Sequence, residues 1–188
     1  MNDDGQIAHS SVNDPTAWDS ADVITASLDP DKGVAITRHL NYVIAFSEWS
    51  TEFFFNAGNA TGSVLSPVEG TALRYGCAAG NTVWAGENTV LWVAKTRAGG
   101  MSILGLEGND LASYSTKPIE RLLDEEANSG GNGIADAYAF GMRVAGHQFY
   151  VLTLPNSGRT IVLDFRDKTW HEWTSDDGTE TYFTGYGS

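Results

Sequence analysis

Three times in 188 residues an apolar run, a short polar turn and a second apolar run follow one another. The copies are YVIAF and TEFFF at 42–46 and 51–55, VLWVA and MSILGL at 90–94 and 101–106, and FYVLTL and TIVLDF at 149–154 and 160–165. Short runs rich in Val, Ile, Phe, Tyr and Thr, broken by Gly, Asn and Ser, signal β-hairpins. Their centres, near Ile44, Trp92 and Leu152, set a period of about 50 to 60 residues, the range in which repeated antiparallel sheets build propellers. One hairpin cannot bury its own apolar face, so the units must stack. The expected fold is therefore all-β: an incomplete β-propeller of about three to four antiparallel blades, against the roughly four to eight of a closed one.

The blade-like units fall at about 30–70, 71–116 and 134–175 within a propeller segment covering 14–188. The third is the clearest, because LDFRDKTWHEW at 163–173 reads as a strand, a charged turn and an outer strand bearing tryptophan, as in kelch-like blades. A large indole there covers the interface between neighbouring blades. TYFTGY at 181–186 reads as the first strand of a further blade, and VAI at 34–36 as the first strand of the first. Residues 1–13 form a polar lead expected to be poorly ordered. One stretch breaks the pattern. In PIERLLDEE at 118–126, Ile119, Leu122 and Leu123 share a helical face, Ser115 and Thr116 are capping candidates, and Pro118 suits a first turn. This predicts the one substantial helix between Ser115 and Glu126, closed by a flexible NSGGNG loop at 128–133, so that 115–133 is an insertion between blades.

Charge excludes some functions. With 24 Asp plus Glu against 11 Lys plus Arg the formal net charge is −13, and the basic residues are scattered, so the chain lacks the basic stripe that phosphate binding requires. The single cysteine, Cys77, excludes an intrachain disulfide and fits a reducing compartment. No signal-peptide pattern opens the sequence, and no apolar run reaches membrane-spanning length.

No candidate chemistry reaches motif quality. His9, His39, His147 and His171 lie in separate segments without metal-ligand spacing. Cys77 reads as a small buried thiol. DPDKG at 29–33 has two acidic positions of a calcium loop but Lys32 at the third, and reads as a solvated turn. DKTW at 167–170 invites comparison with the aspartate box of sialidases, yet Phe165 stands where Ser or Thr is wanted and Thr169 where Gly is wanted. SGGNG at 129–133 lacks the lysine of a phosphate loop and follows a helix instead of preceding one, so it reads as a linker. The expectation is no enzyme, no catalytic residue, no metal and no cofactor.

Five strings together carry a resemblance. DPTAW at 14–18, PDKGVAITRHLNY at 30–42, EWSTEFFFNAGN at 48–59, YGCAAG at 75–80 and STKPIERLL at 115–123 resemble the packaged-DNA stabilisation proteins, or tail accessory factors, of short-tailed bacteriophages. The resemblance runs from about Asn13 to Trp173. It implies a structural virion component of propeller type, made in the host cytoplasm and assembled as a homo-oligomeric ring beneath the portal and its adaptor. There it would help close the exit after DNA packaging and offer surfaces to the tail needle and spikes, with no sequence-specific nucleic acid, membrane or cofactor among its partners. The candidate interface residues are Trp18, Trp49, Ile119, Leu122 and Leu123, and association is expected near 34–36 and 182–186. The alternative is a sugar-binding or sialidase-like propeller, which would need carboxylates and aromatics converging at the propeller axis.

Overall fold

The computed structural model describes residues 1–174 except Val12, Ser27, Asp29, Pro30 and Ala60. Its strands are β1 (Gln6–Ala8), β2 (Val23–Thr25), β3 (Gly33–His39), β4 (Tyr42–Ser47), β5 (Thr51–Asn56), β6 (Leu65–Pro67), β7 (Gly76–Cys77), β8 (Trp84–Ala85), β9 (Thr89–Lys95), β10 (Met101–Glu107), β11 (Asp110–Ser113), β12 (Tyr138–Val144), β13 (His147–Leu154), β14 (Arg159–Asp164) and β15 (Thr169–Trp173). One α-helix, α1 (Lys117–Asn128), lies between β11 and β12. Two compact units divide the chain: Met1–Cys77 with Lys95–Gly99, and Ala78–Ala94 with Gly100 onward.

In the first unit, β3 to β6 form a four-stranded antiparallel meander in sequence order. The predicted hairpin is its centre, with Tyr42 opposite Phe55 and Ile44 opposite Phe53. The 1–13 lead is not the structureless segment expected: it carries β1, which pairs with β2 from Gln6↔Thr25 to Ala8↔Val23. Ile7 and Ala26 from this small sheet are buried with Ala45 and Phe54 of the meander. Burial of that apolar face holds the lead in place, since three-residue strands have little stability alone.

The second unit holds two sheets. In one, β9, β10 and β11 follow in order and β8 pairs with β9. In the other, β12 to β15 form a four-stranded meander, with β13 in register against both β12 and β14. Tyr150 through Leu154 and Ile161 through Leu163 are almost wholly buried, so both faces of these inner strands are covered. That explains why they read as continuous apolar runs instead of alternating ones. The outer strand β15, an edge of its sheet among the described residues, is mostly exposed. Its Trp170 sends the indole N–H to the Tyr114 carbonyl at 2.8 Å, and Trp84 packs against Tyr150 and Phe165, so large rings do fill the space between the two sheets.

Helix α1 begins and ends two residues later than the sequence pattern suggested. Thr116 takes the extended cap conformation without a side-chain cap bond, while Ser115 Oγ accepts the Ile103 amide hydrogen instead. The 129–133 loop is a built turn, not a linker. Gly133 N donates to Gly130 O at 3.0 Å, Asn156 Nδ2 donates to Gly133 O at 2.8 Å, and Gly130, Gly131 and Gly133 all have positive φ, which glycine adopts at no steric cost.

Candidate functional site

The best-connected polar cluster of the second unit forms where the β14–β15 turn folds back beside the start of β13. Phe149 pairs with Asp164 across the sheet, which brings His147 beside the turn. His147 Nδ1 lies 2.7 Å from Asp164 Oδ2, Arg166 N donates to Asp164 Oδ1 at 2.9 Å, and an Arg166 guanidinium nitrogen lies 3.1 Å from His147 Nε2. Ligand-type atoms of His147, Asp164 and Asp167 fall within 4.8 Å of one another. Sequence spacing hid this, because residues 17 and more apart meet only through strand register. The chemistry is that of a turn lock. Both imidazole nitrogens have hydrogen-bonding partners, Asp164 at Nδ1 and Arg166 at Nε2.

Burial pushes the Asp164 carboxyl up, but the His147 hydrogen bond, the Arg166 and Asp167 amides and the His147 charge outweigh it, leaving the group below the ordinary carboxylate value. A folded-state value below the unfolded one stabilises the fold above about pH 4, and that contribution is lost as pH falls through the folded value. The melting-temperature gap between wild type and Asp164→Asn should therefore narrow as pH falls below about pH 4. A gap unchanged down to about pH 2 would contradict this assignment.

The other histidines serve local structure. His9 Nε2 lies 3.0 Å from Ser63 Oγ and accepts the Val64 amide hydrogen at 3.2 Å, which ties the segment after β1 to the β5–β6 connection. His39 is buried, and exposed His171 lies 3.1 Å from Thr169 Oγ1. The Cys77 thiol is buried. Asp31 and Lys32 hold the turn after β4: Asp31 Oδ2 accepts the Trp49 amide hydrogen at 2.7 Å and Lys32 O accepts that of Glu48 at 2.8 Å.

The five candidate interface residues divide by burial. Trp18 is 64% exposed. Trp49 is half-buried, with Lys95 Nζ 4.4 Å from the ring centroid and 3.0 Å from Glu48 Oε1. Ile119 and Leu123 are buried in the core of the second unit with Leu91, Val93, Tyr150 and Leu152, and Leu122 packs partly against the same core. Ile119 and Leu123 are thus internal and brace the sheets, while Leu122 stays partly exposed. Ile36, in the 34–36 segment, is 42% exposed, while 182–186 lies outside the described residues.

Sequence reasoning missed Glu126. Its carboxylate is fully buried, with Oε1 accepting the Asn156 amide hydrogen at 2.8 Å and Oε2 that of Ser157 at 2.7 Å. The signal was available in the spacing 119, 123, 126, which puts this acid on the apolar face of α1.

Antiparallel meanders recur along the chain, and in the second unit aromatic packing fills the space between the two sheets, which defines a protein of blade-like sheets. A family model described as "Bacteriophage P22 Gp10, beta-propeller" matches residues 1–185. The chain belongs to that phage stabilisation family, a family of phage structural proteins with a β-propeller fold. Among curated proteins none matches the sequence. A solved structure, the Nup133 β-propeller domain of Vanderwaltozyma polyspora, is similar at 11% identity with a TM-score of 0.37, over 91% of this chain and 52% of that one. The chain thus spans about half the length of that structure.

Proposed function

We propose that this protein is a structural component of a phage tail that closes or stabilises the portal exit after DNA packaging and bridges the portal adaptor to more distal tail parts. Family membership over residues 1–185 is the observation that carries the reading. On this reading the chain is made in the host cytoplasm, works as a homo-oligomeric ring in the virion, contacts the adaptor, needle and spikes, and catalyses no reaction. Its physical properties support such a role. A seal over packaged DNA needs stiff surfaces that fit neighbouring proteins, and a net charge of −13 repels the phosphate backbone instead of gripping it. Stiffness comes from sheets that bury their inner strands on both faces, with the helix filling the space beside them.

Quantitative mass spectrometry of purified virions, separated into heads and tails, tests the placement. The protein should copurify with tails at a fixed ratio to the portal. Its absence from virions, or a ratio that varies between preparations, would contradict the reading.

A further inference from the structure

Trp18 is the most exposed large apolar side chain among the described residues, yet its loop is built firmly. Asp14 Oδ1 accepts hydrogen bonds from Thr16 N at 2.9 Å and Thr16 Oγ1 at 2.7 Å, Ser11 N donates to Ala17 O at 2.8 Å, and the Trp18 indole N–H donates to Pro15 O at 3.2 Å. Such a loop presents its indole with little conformational freedom left to lose. The segment that carries it is acidic: Asp14, Asp19 and Asp22 lie within four residues of Trp18, and residues 1–31 contain no lysine or arginine.

The same unit carries a surface of complementary character. A groove of about 810 Å³ opens at the β3–β4 end of the meander, lined chiefly by Arg38, Tyr42, Val43, Phe55, Leu65 and Val68. Phe55 is 40% exposed. Next to Arg38, Leu40 is also 40% exposed and sits at φ 52° in the two-residue turn. Glycine or asparagine would occupy that left-handed position at less cost, by about 1 kcal/mol. An apolar side chain thus stands there against the preference of the turn, and the Arg38 guanidinium is steadied by its Nε donating to Leu40 O at 3.2 Å.

We propose that the Trp18 loop of one copy docks into the Arg38–Phe55 groove of a second copy, with the aspartates around Trp18 meeting Arg38. The proposal rests on the tail reading above for the setting in which copies meet. The groove has room for an indole, opposite charges frame the two surfaces, and a rigid tryptophan against an arginine-rimmed apolar pocket is the usual make-up of an interface hot spot. Since knob and groove are different surfaces, the contact is heterologous, and a docked pair still presents one free knob and one free groove for propagation around a ring.

Sedimentation velocity over a concentration series, on the whole chain and its Trp18→Ala and Arg38→Glu variants, tests this contact. Circular dichroism first establishes that both variants fold, as substitutions of exposed side chains should. The wild type should self-associate, and each variant alone should do so at least about tenfold more weakly, the loss expected when a hot-spot residue is removed. Mixing the two variants should restore a two-chain species, because Trp18→Ala retains the groove and Arg38→Glu retains the knob. The double variant Asp19→Arg with Arg38→Glu should regain part of the association. A monomeric wild type, variants that assemble like it, or a mixture that stays monomeric would overturn the contact. So would a Trp18 indole, read as the fluorescence difference between wild type and Trp18→Ala, that is buried at every concentration, which would place it in its own chain's groove. A chain present in virions whose Trp18→Ala form assembles normally would overturn the contact alone and leave the tail reading standing.

Discussion

Gly76→Ala should lower the stability of the first unit by about 3 kcal/mol or more, the upper range for overpacking a closed site. A Cβ at this position would stand 2.0 Å from the Glu48 carbonyl oxygen and 2.4 Å from the Trp49 nitrogen. These are main-chain atoms held on their other sides, Glu48 N by Lys32 O and Trp49 N by Asp31 Oδ2, so no side chain can swing away to make room. The backbone itself must move, and Trp49 with its Lys95 contact moves with it. A thermal melt should show a loss of about 6 to 12 °C. Gly58→Ala provides the comparison, because its Cβ would meet nothing within 4 Å and only the positive φ of 65° opposes it. That change should cost about 1 kcal/mol. Equal losses at the two positions would show that the close approach at Gly76 is not what constrains the fold.

Glu126→Ala should cost the second unit about 3 kcal/mol, because it removes two charge-assisted hydrogen bonds at once. The substitution leaves the Asn156 and Ser157 amides without their acceptor and opens a polar cavity beneath α1. Glu126→Gln keeps one acceptor oxygen but turns an NH₂ group toward the second amide, so its loss should be intermediate. Urea denaturation of the three proteins gives the order directly. A glutamine variant as stable as wild type would mean that the charge contributes nothing, and an alanine variant as stable would mean that the helix is held by apolar packing alone. Because Asn156 also donates to Gly133 O, the alanine change should loosen the 130–133 turn, seen as faster amide exchange there.

The hairpins were legible because two local signals coincide at each of them: an apolar run long enough for a strand, and turn residues where the chain must reverse. Tyr42–Ser47 with Thr51–Asn56 and His147–Leu154 with Arg159–Asp164 lie where the pattern put them. The β1–β2 pair was not legible, since two three-residue strands separated by a long connection carry almost no periodicity, and their pairing depends on Ile7 and Ala26 finding Ala45 and Phe54. For α1, spacing identified the apolar stripe but could not say what covers it. Ile119 and Leu123, candidate interface residues by pattern, are buried in the core, because the sheets of the second unit supply the covering that a one-dimensional pattern cannot show. The His147–Asp164 lock had no sequence signature at all, being a product of strand register. Trp18 was legible as a candidate for the opposite reason: a tryptophan set in a polar turn has no local apolar face to join, and the structure leaves it exposed.

The central claim is that this protein retains packaged DNA by structural closure. It is tested most directly by measuring nuclease sensitivity of the DNA in particles assembled with and without it. Particles made in its absence should package a genome and then lose it, leaving nuclease-sensitive DNA and empty heads, and addition of the purified protein to freshly filled heads should restore protection. Heads that keep their DNA fully protected without the protein would contradict the account.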